Sequence, residues 1–595
     1  MIKSVVFAGL MVCSLIGSAV AGAIPGTGEL KGSVVAPTTF TAAKVFAHLS
    51  GKNVTYMVFS ENGAYRVVNL MPGTYEVWAE KPGFTAQKQT VVIAPEKKAS
   101  LDIAFTAAAV EPPYIGARIV KRKVEAFDQI YPPGPGREIL ERTCFICHGW
   151  NFLPAMPQPR EGWGAVVDYM TTSPRFGVSG MAPFLPADRL PPADREILLD
   201  YLATNVGADA PVRVVGGEPD GPRDEAVLGK AQFIQYDLPA NAQLTSRVIQ
   251  EVTFDSKGNV WASNVRKEGG LTRIDPRTGA YTDFPTPNKG WMPHGLAMDA
   301  DDTVWFAGLR VGLSHFDPAS GKFDIYGKIG KNNGALSPFL DTKGNVYWTD
   351  LRMNELGRWD RSTNTWKMYK SPSPGASPYG IVVDHKDKVW YAEFHACAVV
   401  RFDPETEQLK AFPSPSAPCA IRRPAVDSKG NVWYGVWDKG RIERLNPVTG
   451  EVKQFQVPVP FANPYDTWID PQDVVWASSD NYLIRLDPVS GVMSYYPTPQ
   501  RTDEPKITIT RDGAIWFPPR GFASGGGQPT SVAVLYPDKS MMKTFGAYFS
   551  DKDPNSNGRK YKGPPTKVTG TGTAALGPKP SGGDDSHPEL GAAAD

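Results

Sequence analysis

The chain has no dominant charge. Its 63 Lys and Arg residues face 62 Asp and Glu, for a formal net charge of +1, a balance that gives no support to nucleic-acid binding. It lacks apolar runs: beyond the N-terminus no stretch of about 18 apolar residues occurs, so no membrane span is expected. It is also poor in metal-binding side chains, with five cysteines and seven histidines. No Cys or His occurs between 149 and 293, so a structural zinc site built around Cys144 and Cys147 is excluded for want of further ligands.

Glycine (58), proline (55) and tryptophan (15) are plentiful, which suits a mainly β protein with many tight turns. A chain of 595 residues is too long for one core and implies three or four domains. Residues 1–21 have a signal-peptide pattern: Lys3, an apolar segment over 5–20, and Ala19-Val20-Ala21 as a small-residue cleavage site. The expectation is export to the periplasm or the medium. There Cys397 and Cys419 form an even pair in an oxidising compartment and are expected to be disulfide-bonded.

Residues 28–107 alternate apolar and polar positions between turn signals such as Asn62-Gly63, Pro72-Gly73 and Pro82-Gly83, the pattern of a small β-sandwich. The phrases Gly63-Ala64-Tyr65, Leu70-Met71-Pro72-Gly73-Thr74-Tyr75 and Lys81-Pro82-Gly83-Phe84 resemble the carboxypeptidase regulatory-like domain, an accessory module. Residues 108–133 read as a linker. Residues 134–208 change period: helical stretches are expected at 136–142, 162–171 and 192–205.

In this helical segment Cys144-Phe145-Ile146-Cys147-His148 forms C-x-x-C-H, the attachment signature of c-type haem. Two thiols at that spacing bond the two vinyl groups, and the adjacent imidazole lies over the iron. One covalent haem on Cys144 and Cys147 is expected, with His148 as iron ligand. Gly180-Met181-Ala182-Pro183-Phe184 resembles the distal-methionine segment of small soluble cytochromes c, departing from it by the inserted Ala182. Met181 is therefore the expected second iron ligand, with Met170 and then Met156 as alternatives. The segment is read as an all-α cytochrome c domain.

From 231 to 548 the chain repeats itself. An Asp, a turn and an aromatic strand recur, with tryptophans at 261, 305, 348, 390, 433, 476 and 516. A period near 43 with four strands per unit is the signature of a β-propeller, here of seven blades. Phe233 to Pro239 resembles the closing strands of the other blades and is expected to complete the last one. Residues 551–595, rich in Gly, Pro, Ser and charge, read as a disordered tail.

Pro378-Tyr379-Gly380-Ile381, Val389-Trp390-Tyr391-Ala392-Glu393 and Arg401-Phe402-Asp403-Pro404 resemble the virginiamycin B (streptogramin) lyase propeller. That resemblance implies an elimination reaction with a histidine base and a metal-binding glutamate. Glu393 and His395, two apart near a strand end, face one side; such a pair can bind a divalent metal or move a proton. The remaining catalytic positions of the lyase are not matched. His294, Tyr379 and Arg423 are further candidates for a site in the channel. The leading functional expectation is a periplasmic electron-transfer protein whose propeller binds a substrate, a redox partner protein or a small-molecule electron donor. The alternatives are a metal-dependent lyase- or hydrolase-like propeller tethered to a cytochrome, and a non-catalytic binding module that presents one.

Overall fold

The structure, a computed structural model, describes residues 24–550 apart from 109–113, 116–119, 122, 147–149, 151, 173–184, 186–189, 216–220, 267, 327–333, 461, 501, 503–505 and 520–529. The expected signal peptide, Cys147, His148, Met181 and the C-terminal tail lie outside the described residues. Among the described residues no helix is long and apolar enough to cross a membrane.

The protein is mainly β. Six four-stranded antiparallel sheets follow one another from Ile249–Phe254 to Met493–Pro497. Their first strands pack side by side around an axis, and the first strand of the first sheet also meets Ile515–Phe517 and Ser531–Tyr536 of a seventh blade, so the ring closes on itself. The seventh blade is built differently. Its strands Thr508–Ile509, Ile515–Phe517 and Ser531–Tyr536 are completed by Gln232–Asp237, as the resemblance of 233–239 to the other closing strands implies.

Each regular blade is fastened by one clasp. Asp427 accepts hydrogen bonds from the backbone N–H of Lys429 (3.0 Å) and Asn431 (2.8 Å), and from Trp433 Nε1 (2.9 Å). The carboxylate thus holds its own turn and the buried indole six residues on, which is why Asp and Trp recur together. Trp261, Trp305, Trp390 and Trp476 are held in the same way by Asp255, Asp299, Asp384 and Asp470. Two positions correct the repeat read from sequence. In the third blade Tyr347, not Trp348, occupies the clasp and donates its hydroxyl to Asp341 (3.1 Å). Trp348, one residue on, falls on the opposite face of the strand and covers Gly357, where a Cβ would lie 2.1 Å from the indole. In the seventh blade Thr510 replaces the aspartate six residues before the tryptophan; its hydroxyl accepts from Ala514 N (3.1 Å). Trp516 Nε1 has no hydrogen-bond partner among the described residues.

Residues 24–107 form two packed sheets, as the alternation over 28–107 implies. One of these sheets does not end at the sandwich. Val54–Phe59 pairs antiparallel with Gln232–Asp237, making one eight-stranded sheet from the propeller axis to the far edge of the sandwich. This pairing covers what would otherwise be an open propeller edge. Gln232, fully buried, adds a two-way bond to the second sheet: it accepts from Val68 N and donates to Val68 O, both at 2.9 Å.

The helical segment holds α1 (Phe127–Ile130), α2 (Pro135–Thr143), α3 (Arg160–Thr172) and α4 (Pro192–Asn205). Its core begins upstream of the expected boundary at 134, because Phe127 and Tyr131 bury their rings against Phe145 and Trp150. Helices α2 and α4 approach closely at Gly136, where a Cβ would lie 2.4 Å from Tyr201 Cβ and 2.5 Å from its ring.

Candidate functional site in the propeller channel

The first strand of the first five blades carries a register shift after its opening residue, a bulge that re-aims side chains. The seven residues that stand ten positions before the clasp aromatics are Glu251, Gly295, Ser337, Gly380, Arg423, Asp466 and Lys506. Five of them, Glu251, Ser337, Arg423, Asp466 and Lys506, line a cavity on the propeller axis. The two glycines leave room: a Cβ at Gly380 would lie 2.4 Å from Arg423 Cγ, and one at Gly295 would lie 2.6 Å from Leu336 O.

The ring carries two acids and two bases. Lys506 forms an ion pair with Glu251. Burial, with the Arg423 charge adding to it, pushes the Lys506 ammonium down to about 8. Burial raises the Asp466 carboxyl above its ordinary value, opposed by Arg423 and Lys506. Asp466 accepts from its own neighbour Thr467 N and from Ile507 N, both at 2.9 Å. Arg423 donates through Nη1 to Ser337 (3.0 Å) and packs over the rings of Tyr379 and Tyr465. Those two tyrosines bond to each other, 3.0 Å between hydroxyls. One residue nearer the mouth, the Arg422 guanidinium sits 4.2 Å from the ring centre of Phe394, 4.9 Å from Trp437 and 5.1 Å from Tyr379.

Of the residues expected from sequence, Arg423 therefore lines the cavity and Tyr379 supports it. Glu393 and His395 lie elsewhere: Glu393 ends the second strand of the fourth blade and His395 sits in the turn that follows, both against the loop that leads in from the third blade. The Glu393 carboxylate is fully buried and accepts from Ser371 Oγ (2.6 Å) and Ser373 N (3.2 Å). It occupies the same register as Asn264 and Asp350, whose side chains bond the backbone ahead of their own blades at Val248 and Gly334. His395 contacts Ser377 through Nδ1 (3.0 Å). His294 is buried, with Nδ1 3.0 Å from Leu336 O. Among the described residues no group of three or more His, Cys, Asp or Glu is arranged to hold a metal ion. Sequence reasoning missed Glu251, Asp466 and Lys506. The signal that finds them is the ten-residue offset, at which charge interrupts otherwise apolar inner strands.

The disulfide between Cys397 and Cys419 is present, with 5.0 Å between Cα atoms. It joins the turn after Val389–Glu393 to the segment that leads into Ile421–Val426, on the mouth side. On this same side the Cys144–Ile146 segment approaches Trp437–Lys439, with Cα atoms within 8 Å. Cys144 follows directly on α2 and is partly exposed, while Phe145 is buried in the helical core. A thiol in that position, with a second thiol three residues on and an imidazole next to it, is a donor set that fits thioether attachment of haem. Met156 is exposed. Met170 ends near the last turn of α3, and its carbonyl accepts from Leu185 N (2.8 Å).

Residues 227–486 match the Virginiamycin B lyase family. The propeller is virginiamycin B lyase-like. Among solved structures, virginiamycin B lyase from Staphylococcus aureus shares 20% identity over 51% of this chain and 99% of that one, with a TM-score of 0.45. A streptogramin B lyase shares 19% over 51% and 97%, TM-score 0.45. The WD40 propeller of Doa1 shares 14% over 52% and 98%, TM-score 0.41. No curated protein sequence matches the chain.

Proposed function

We propose that this chain is an exported haem c electron-transfer protein whose propeller binds the electron donor or acceptor on the mouth beside the haem-attachment segment. The observation that carries the reading is the C-x-x-C-H motif opening directly from α2, with Cys144–Ile146 lying along Trp437–Lys439 at the mouth. Cys144 and Cys147 would hold the haem and His148 would ligate its iron, with Met181 as the second ligand. Bound there, the haem supplies a one-electron redox centre, and a methionine ligand would set a higher potential than a second histidine. The chain's own residues do the rest. Phe127, Tyr131, Phe145 and Trp150 pack the thiol-bearing turn onto the helical core, and the Cys397–Cys419 bond braces the loops that face it. The N-terminal sandwich we read as a regulatory-like accessory module, supported by its turn phrases and its two-sheet build.

The test is direct. Protein expressed with its own leader in a host that matures c-type cytochromes should retain haem after denaturing electrophoresis and show a c-type absorption spectrum. Cys147→Ala should weaken or abolish attachment. Haem that extracts into acidified organic solvent from the wild type would overturn the reading. A metal-dependent lyase is the second reading, favoured by the family match over 227–486 and by buried Glu393, whose Oε2 makes no hydrogen bond to a described residue. It requires turnover that survives loss of haem and ceases on chelation.

A further inference from the structure

We infer that the run Arg559-Lys560-Tyr561-Lys562 of this chain docks on the propeller face opposite the mouth, with the Tyr561 ring in an apolar pocket between the fourth, fifth and sixth blades. This goes beyond the electron-transfer reading and does not depend on haem.

The chain is led to that pocket. On this face, where the clasp turns lie, Ala547 N donates to Gly258 O (3.0 Å) and Tyr548 O accepts from Arg511 N (2.8 Å). These bonds pin the segment beneath the first and seventh blades. Phe549 comes next. It is buried, its ring centre lies 4.8 Å from that of Phe254, and it lines the axial cavity. Ser550 lies in the wall of the pocket on the far side of the axis. The backbone thus crosses the axis and arrives at the pocket as it leaves the described residues.

The pocket has about 100 Å³ of free volume, against about 30 Å³ in the axial cavity. His385, Ser428 and Pro471 on its rim are exposed, so it opens to solvent. Its walls are apolar, built from Val382, Pro424, Val426, Trp468 and Ile509. Trp468 is left half-buried there, and a ring laid against it would remove apolar surface from water. The lining also carries the carboxylates of Asp470 and Asp473 and, among the described residues, no lysine or arginine.

The segment beyond Ser550 has the matching chemistry. Tyr561 is the one Phe, Tyr or Trp of residues 551–595, and Arg559, Lys560 and Lys562 flank it. Between Ser550 and this run stand Asp553-Pro554-Asn555 and Asn557-Gly558, turn formers that let the chain double back. At about 3.5 Å per residue, residues 551–558 return the run to the place the chain left. The ring then meets Trp468, the cations face Asp470 and Asp473, and the phenol hydroxyl stays in water.

Photo-crosslinking of the full-length protein tests the docking. With p-benzoylphenylalanine replacing Tyr561, irradiation should link position 561 to residues 424–428 or 468–473 of the same molecule, mapped by mass spectrometry. The same probe replacing Leu576 should give no preferred site. Asp473→Asn suits the same left-handed turn (φ +61°) and can still accept from Ser428, but it removes a charge. It should lower the yield from position 561 by about twofold or more. Lys560→Ala with Lys562→Ala, outside the folded core, should do the same. The proposal fails if links from position 561 scatter as those from 576 do, if they join two molecules, or if both charge changes leave the yield as it was. Should Asp473→Asn not fold, the two lysine changes decide.

Discussion

The fifth and seventh blades of this propeller reach the same architecture by different means. The fifth has four strands of its own, the Asp427–Trp433 clasp and a disulfide to the fourth blade. The seventh has two short inner strands, no acid beneath Trp516, and an outer strand borrowed from residues 232–237 that goes on to pair with the sandwich. One blade is held by its own strands, a clasp six residues long and a bond to its neighbour; the other by pairings across nearly the whole chain. A blade can therefore lose its local clasp if long-range sheet pairing and shared core replace it. The channel repeats the contrast, for Arg423 of the fifth blade donates to Ser337 of the third while Lys506 of the seventh is closed by Glu251 of the first.

The largest effect should come from cutting the long-range attachment. Phe233 is fully buried and meets Phe59 of the sandwich and Phe517 of the seventh blade edge-on. Phe233→Ala should cost about 3–5 kcal/mol, read by denaturant unfolding. A loss below about 1 kcal/mol would mean that the seventh blade stands without this junction.

Next in size is the clasp. Asp427→Ala leaves the buried Trp433 indole N–H and two turn N–H groups without their acceptor, at a cost of about 1–3 kcal/mol. Thr510→Ala, at the same register in the seventh blade, should cost no more than about 1 kcal/mol. Equal losses in the two variants would erase the distinction between the blades.

The smallest effect is one of pH. Burial holds Lys506 at about 8, below its ordinary 10.5. Between those values the unfolded chain binds more protons than the folded one, so this group makes stability rise as pH goes from about 8 toward 10.5. Below about 8 its penalty is fully present. Lys506→Met removes the contribution, so the variant's stability relative to wild type should fall across that window. Parallel wild-type and variant curves from pH 7 to 10 would show that Lys506 is not so perturbed.

Much of the propeller was legible because its blades repeat a local device. Asp and an aromatic six residues apart mark each clasp, and a closing strand was recognisable at 233–239. The errors fell where the local device is altered. Trp348 imitated a clasp residue that Tyr347 supplies, and in the seventh blade Thr510 stands where the other blades have Asp. Glu393 and His395 drew attention as a chemical pair, yet their partners are the serines of an inter-blade loop, which no local pattern announces. The three helices were visible from their spacing. That Phe127 and Tyr131 belong to their core was not, since both lie in what reads as a linker.

By itself the sequence determined the repeat, the helical insertion, the C-x-x-C-H motif and the pairing of Cys397 with Cys419. Each of these is written in spacing along the chain or, for the disulfide, in a count that left one pair. Only the tertiary structure decided that the sandwich and the seventh blade share one sheet, and that Glu251, Ser337, Arg423, Asp466 and Lys506 meet on the axis. Closing the ring brings together residues spread over more than 250 positions, from Glu251 to Lys506, and their charges acquire partners, or lack them, only once burial removes the water between them.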